Sequence, residues 1–192
     1  MNWADTWEQH TIPFLACLTD DHAYTTRVHW QTFDDRADKT NRAWGKYASF
    51  SELSGQLQKA NESGSGVYVT VNETDGEGRK IGNIVGLRAY WADLDGVEVD
   101  IEALPLAPSM VVQSKNGKHL YWLSYGDVTF EDHRKMQARI ASALGSDPSV
   151  IDPSRVLRVP GFYHRKGEPF MVSLLSANPE RRYWFNEMRG AF

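Results

Sequence analysis

The sequence predicts an α+β fold with helices packed on one face of a sheet. Three observations carry this: strand-like and helix-like runs are mixed along the chain, an Asn-Gly pair separates two β-rich runs, and a clear amphipathic helix follows them. With 192 residues, 41% of them hydrophobic, the chain is long enough for one well-cored domain or two small lobes. That composition fits neither a disordered nor a fibrous protein.

The elements follow in order. Trp3 to Leu18 reads as a helix interrupted near Pro13, and Tyr24 to Phe33 as a strand rich in β-formers. Ser49 to Asn61 reads as a helix with Ser49 or Ser51 as N-cap, and Val67 to Val71 as a short strand. Asn72 to Arg79 is a polar, glycine-containing loop, after which Gly86 to Leu94 reads as a buried strand ending at an Asp95-Gly96 turn. Ser109 to Ser114 and Lys118 to Ser124 are strand-like, and Asn116-Gly117 between them signals a two-residue type I′ hairpin. That register sets Lys115 opposite Lys118, Ser114 opposite His119 and Gln113 opposite Leu120. Phe130 to Leu144 is an amphipathic helix, with Met136, Ile140 and Leu144 spaced by four and Gly145 as its C′ residue. Val150 to Asp152 and Phe170 to Leu175 read as short strands, and Pro179 to Met188 as a last helix.

Composition narrows the chemistry. Cys17 is the single cysteine, which excludes an internal disulfide and any zinc site built on several thiolates, so a metal would be held mainly by oxygen. No signal-peptide pattern opens the chain and no run of about 18 apolar residues occurs, so a soluble, cytoplasmic protein is expected. The net charge of −4 is unevenly spread. Residues 1–112 hold 9 Lys/Arg against 17 Asp/Glu, a balance of −8, and residues 113–192 hold 12 against 8, a balance of +4. The positive part permits a polyanionic ligand without requiring one, since two solvated surfaces of differing sign read equally well.

Three groups of residues carry chemistry. In Ala89-Tyr90-Trp91-Ala92-Asp93-Leu94-Asp95-Gly96, a strand period of two sets Asp93 and Asp95 on one face and Leu94 on the other. Two carboxylates so placed repel unless a cation lies between them, which suits Mg²⁺ or Mn²⁺; the same string also reads as a solvated turn. Around the hairpin, Ser114, Lys115, Lys118 and His119 form a phosphate-sized cluster, although lysines beside a turn are also ordinary edge-protecting residues. In the stretch Val150 to Gly167, Asp152 could complete a three-carboxylate site, with Arg155 and Arg158 on phosphates and Arg165 and Lys166 on a strand backbone. Against this, Asp152 also reads as a turn residue before Pro153, and Arg155 as a salt-bridge partner. Phe162 and Tyr163 are candidates for base stacking, or else core or lid residues.

Taken in order, Asp93-Leu94-Asp95, then Gly117-Lys118-His119, then Ile151-Asp152 leading into Ser154-Arg155-Val156-Leu157-Arg158-Val159-Pro160-Gly161 resemble the three motifs of the archaeo-eukaryotic primase superfamily. More narrowly, they are similar to the RepB-like primase and primase-polymerase domains of plasmids and phages. The resemblance covers about residues 67–175. It implies a two-lobed fold, with residues 1–85 as an N-terminal lobe and 86–192 as an RRM-like antiparallel catalytic lobe, within one domain spanning 1–192. It also implies template-directed nucleotidyl transfer, with Asp93, Asp95 and Asp152 holding two Mg²⁺ or Mn²⁺ ions and His119 touching the triphosphate of an NTP or dNTP. Ser114, Lys115, Lys118, Arg155 and Arg158 are placed on phosphates by their chemistry. Arg165, Lys166, Phe162 and Tyr163 are placed on a single-stranded DNA template or primer.

The implied setting is replication of a plasmid, phage or other mobile element in a bacterial or infected host cytoplasm. The implied state is monomeric and free of membrane, with a helicase on another chain or in a further C-terminal region. One cysteine cannot build the zinc module of many superfamily primases. Two other classes remain open on the residues: a non-catalytic replication-initiator or single-stranded-DNA-binding module, and a metal-dependent nuclease.

Overall fold

The computed structural model describes residues 2–41, 43–126 and 128–192. Helix α1 (Trp3–Thr6), capped by Asn2, runs through one π-type turn at Trp7–Thr11 into α2 (Ile12–Thr19). The expected break at Pro13 does not occur. Pro13 stands in the first turn of α2, and the wider turn before it accommodates a residue with no N–H to donate.

Strand β1 (Arg27–Asp34) pairs with β2 (Trp44–Ser49) on one side and with β3 (Ser65–Thr70) on the other. Between β2 and β3 lies α3 (Phe50–Glu62). It starts at Ser49 because the Ser49 hydroxyl accepts from Glu52 N–H while the Glu52 carboxylate accepts from Ser49 N–H. Strands β4 (Glu73–Thr74) and β5 (Ile84–Gly86) form a small ribbon, and β6 (Ala89–Asp93) follows. The single strand expected over 86–94 is thus split, because Arg88 N–H donates to the buried Asn72 side chain rather than to a strand.

Next come β7 (Met110–Gln113), β8 (Lys118–Ser124) and α4 (Phe130–Leu144), the helix ending at Gly145 in a left-handed conformation. Strand β9 (Val156–Arg158), unforeseen in the sequence, returns to pair with β3, so the first sheet runs β2-β1-β3-β9 with every pair antiparallel. Strands β10 (Tyr163–His164) and β11 (Phe170–Met171) form a ribbon, and β12 (Ser173–Ala177) pairs with β7. Strand β13 (Arg182–Tyr183) pairs with the end of β8, and α5 (Phe185–Ala191) closes the chain. Two further expectations are corrected. Residues 150–152 are not a strand, because Asp147 caps a 3₁₀ turn at Pro148–Val150; and the last helix begins at Phe185 rather than Pro179.

In the second sheet β8 lies between β6 and β7, both antiparallel to it. The period of two divides this sheet's side chains between two cores. Ala89, Trp91, Met110, Tyr121 and Leu123 face the first sheet and helices α2 and α3, meeting Trp30, Val69, Phe14 and Leu57. Tyr90, Ala92, Leu94, Leu120 and Trp122 face α4 and α5 through Met136, Ile140 and Met188. Each large apolar side chain so buried contributes about 1.5–3 kcal/mol, so the central sheet is fixed from both sides. The α+β expectation holds: an antiparallel sheet with flanking helices carries Asp93 at its end. Among the described residues no helix is long and apolar enough to cross a membrane.

The hairpin differs from its expected form. Gln113 pairs with Lys118 and Val112 with His119, which leaves a four-residue loop, Ser114 to Gly117, closed by Ser114 N–H on the Gly117 carbonyl at 2.9 Å. Gly117 does not have the positive φ a type I′ turn requires. Its glycine serves close approach instead: a Cβ there would stand 1.9 Å from the Leu94 carbonyl oxygen. The register moves by two residues relative to the expectation, which keeps every side chain on its expected face.

Candidate active site

The last rung of the face shared by the two sheets is polar. Asp93 at the end of β6 lies directly across from His119 on β8, with Oδ1 3.5 Å from Nε2. Burial holds the His119 imidazole pKa below its usual value, against the opposing pull of Asp93. Strand β6 stops there, and Leu94 N–H donates to the Lys118 carbonyl while Gly96 N–H donates to the Asn116 carbonyl. The hairpin loop therefore holds the Asp95 turn in place. Leu94 is buried in the opposite core, as the strand period requires, and Asp95 is exposed.

Asp93, Asp95, Ser114, Asn116 and His119 form one wall of a cleft of about 250 Å³; Tyr68, Arg155, Arg158, His164 and Lys166 stand among its other lining residues. The second set belongs to β3 and to the segment from Arg155 to Lys166, which four buried side chains tie down. Asn72 donates to the Pro153 carbonyl at 3.0 Å, and Thr11 donates to the Pro160 carbonyl at 2.7 Å. Asn61 accepts from Tyr163 N–H and donates to its carbonyl, at 2.9 and 2.7 Å. Asp35 accepts from Arg165 N–H at 3.0 Å and binds the Arg158 guanidinium by two 2.8 Å contacts. Gly161 has φ +89, and a Cβ there would stand 2.3 Å from the Thr11 hydroxyl, so the chain can pass Thr11 only as glycine.

Sequence reasoning missed Tyr68 and His164 in the cleft lining and the carboxylate partner of Arg158, Asp35. Burial alone would raise its pKa, but the two Arg158 contacts and the Arg165 N–H outweigh this and hold the carboxyl below its usual value. The Arg158 guanidinium also lies over the Tyr68 ring, 4.6 Å from its centroid. Arg158 thus faces the cleft already oriented on both sides. Arg155 lines the cleft with its buried Nε unbonded within the protein. Strand alternation gave no sign of Asp35, which follows the last residue of β1 and meets its partners 123 and 130 residues away.

Several predicted site residues stand elsewhere. Asp152 is exposed and does not line the cleft; its carboxylate accepts from Ser154 N–H and its carbonyl from Arg155 N–H, which makes it the turn residue before Arg155. Lys115 donates to the carbonyls of Lys166 and Glu168, both at 2.8 Å, and so ties the hairpin loop to the 166–168 loop. Lys118 lines a separate groove of about 630 Å³ on the other side of the hairpin. Ser114 does line the cleft, its hydroxyl donating to the Gly117 carbonyl. Phe162 is a core residue packed on Trp3 and Trp7, not a surface for stacking bases. Tyr163 is half-buried under the Arg165 guanidinium, 4.6 Å from its ring centroid.

Among the described residues no group of three or more His, Cys, Asp or Glu side chains is arranged to hold a metal ion. Among the described residues, Asp93 and Asp95 are the carboxylates that line the cleft. Two hard oxygen donors still fit Mg²⁺ or Mn²⁺, because Mg²⁺ is commonly bound by one or two carboxylates with substrate phosphates and water completing its shell.

The comparisons bear on family and fold. The family model described as the RepB DNA-primase N-terminal domain matches residues 95–189. The fold is similar to that of the AEP domain of the cyanophage S-2L primase-polymerase (TM-score 0.75, 22% identity, covering 94% of this chain and 96% of that one). It is also similar to primase RepB′ (TM-score 0.71, 18% identity, 94% of this chain and 60% of that one). The catalytic domain of RepB′ solved with initiator DNA gives a TM-score of 0.67 at 18% identity, covering 92% of each chain. No curated protein matches. Residues 95–189 are a RepB-type DNA-primase N-terminal domain, and the chain carries the fold of the archaeo-eukaryotic primases.

Proposed function

We propose that this chain is the catalytic domain of a DNA primase or primase-polymerase, one that joins NTPs or dNTPs on a single-stranded DNA template during replication of a plasmid, phage or other mobile element. The observation that carries this reading is the division of one cleft into an acidic wall, Asp93 and Asp95, and a cationic wall, Arg155, Arg158 and Lys166. Nucleotidyl transfer needs both: oxygen donors for divalent cations where a hydroxyl attacks, and fixed cations for the triphosphate.

Asp93 and Asp95 would hold Mg²⁺ or Mn²⁺, which when bound supply a lowered pKa for a primer 3′-hydroxyl and neutralise charge on the leaving pyrophosphate. The rest is done by side chains. Arg158, held by Asp35 and Tyr68, and Arg155 present guanidinium groups to phosphate oxygens without reorganising. His119 sits against Asp93 and orients its carboxylate. Arg165, with Tyr163 beneath it, and Lys166 would meet the template or primer backbone. The RepB′ catalytic domain was solved with initiator DNA, and DNA binding by this chain is part of the same proposal.

The test is incorporation of labelled NTPs or dNTPs on primed and unprimed single-stranded DNA with Mg²⁺ or Mn²⁺, comparing wild type with Asp93→Ala/Asp95→Ala. The expected loss is roughly a thousandfold or more, about 4 kcal/mol of transition-state stabilisation, with DNA affinity retained. A wild type that binds single-stranded DNA but makes no product with any nucleotide or metal would establish a binding module instead. Metal-dependent cleavage without a triphosphate would establish a nuclease.

A further inference from the structure

His164 ends the short strand β10 and is 8% exposed, yet neither of its ring nitrogens has a hydrogen-bond partner in the protein. It lines the same cleft as Asp93, Asp95, Arg155 and Arg158. A buried polar group left unbonded is costly, so its retention points to a ligand. The backbone leaves little room for the ring to escape to water. Asn61 clamps Tyr163 on both N–H and carbonyl, and Asp35 clamps Arg165 N–H, so His164 is fixed from both sides.

The chemistry of the ring narrows the ligand. Burial, then Arg158, with a further contribution from Lys115, lowers the imidazole pKa to about 4, against weaker opposing effects of Asp35 and Asp95. At neutral pH the ring is therefore uncharged, with one nitrogen donating and the other accepting. Phosphate oxygens only accept; they would favour the charged ring, and they have Arg155 and Arg158 beside them. A hydroxyl both donates and accepts. On a nucleotide whose phosphates lie on the arginines, the hydroxyls belong to the sugar.

We propose that His164 is a specificity-determining residue that receives a sugar hydroxyl of the nucleotide bound in this cleft. This rests on the nucleotidyl-transfer reading above. The test is single-nucleotide incorporation on a primed template with matched NTP, dNTP and 2′,3′-dideoxynucleotide, for wild type, His164→Phe and His164→Asn. His164→Phe keeps a planar ring without nitrogens, and His164→Asn keeps a donor and an acceptor. For His164→Phe, KM is expected to rise roughly tenfold for the nucleotides that carry the recognised hydroxyl and to stay unchanged for those that lack it, with kcat little altered. His164→Asn should retain most of the discrimination.

A loss confined to NTP identifies the 2′-hydroxyl, and a loss shared by NTP and dNTP but not the dideoxynucleotide identifies the 3′-hydroxyl. An equal change for all three sugars, or none, overturns the proposal. Should His164→Phe not fold, as judged by its melting curve, His164→Ala is read in the same three lanes. A wild type that incorporates nothing sinks the nucleotidyl-transfer reading itself, so the two failures are distinct.

Discussion

The two sheets bring opposite charges to one cleft and do so by different means. The second sheet places Asp93 and His119 by strand register alone: a period of two and an antiparallel pairing put them across from each other. The first sheet and its helices place Arg158 and the 160–165 segment by long-range side-chain bonds from Thr11, Asp35 and Asn61. The acidic half is built locally and is readable from spacing. The cationic half is built by contacts across more than 100 residues and depends on a scaffold whose sequence carries no motif.

If that contrast is right, the largest effect outside the acids comes from cutting the scaffold's ion pair. Asp35→Ala leaves the Arg158 guanidinium in a largely buried position without its carboxylate, and about 3 kcal/mol of stability should be lost in urea unfolding. Nucleotide KM should rise further than that of an equally destabilised variant elsewhere. A variant with wild-type stability and KM would show that Arg158 needs no partner from the first sheet.

A smaller effect tests whether Phe162 is scaffold or DNA surface. Phe162→Leu should cost about 1.5 kcal/mol through lost packing on Trp3 and Trp7, while single-stranded DNA affinity of the folded protein stays within twofold. A large drop in affinity at constant stability would return Phe162 to the stacking role its place beside Tyr163 suggested.

A third test lies on the far face of the second sheet. His133 is fully buried, stacked on Tyr90 and bonded to the Ala89 carbonyl, and burial lowers its pKa to about 4. Its unfolded value is near 6.5, so between those values the unfolded chain binds more protons. Stability is then fully present above pH 6.5 and is lost progressively as pH falls toward 4. His133→Gln should flatten that part of the stability curve while leaving nucleotide discrimination unchanged.

Much of the second sheet was legible. Leu94 facing away from Asp93, the 130–144 helix with its Gly145 end, and the Ser49 cap all follow from periodicity and local hydrogen bonding. The hairpin was found but its loop misjudged, because Asn116-Gly117 carries the signal of a tight turn while Gly117 is a glycine for another reason, the Leu94 carbonyl pressed against it. Asp152 and Phe162 each carry two readings in the sequence, site or turn residue for the first and base-stacking or core residue for the second. The structure uses the first to turn the chain and the second to fill the core.

The sequence by itself determined the α+β class, the face on which Asp93 stands and the residue types gathered around it, because strand and helix periods are local properties of the backbone. Only the tertiary structure decided that Asp35 holds Arg158, that Lys115 is engaged on two carbonyls and that His164 stands buried and unbonded in the cleft. Those are outcomes of which distant segments meet. A hydrogen bond between residues 35 and 158 leaves no trace in the spacing near either one, since it is fixed by how two sheets pack and not by the chain between them.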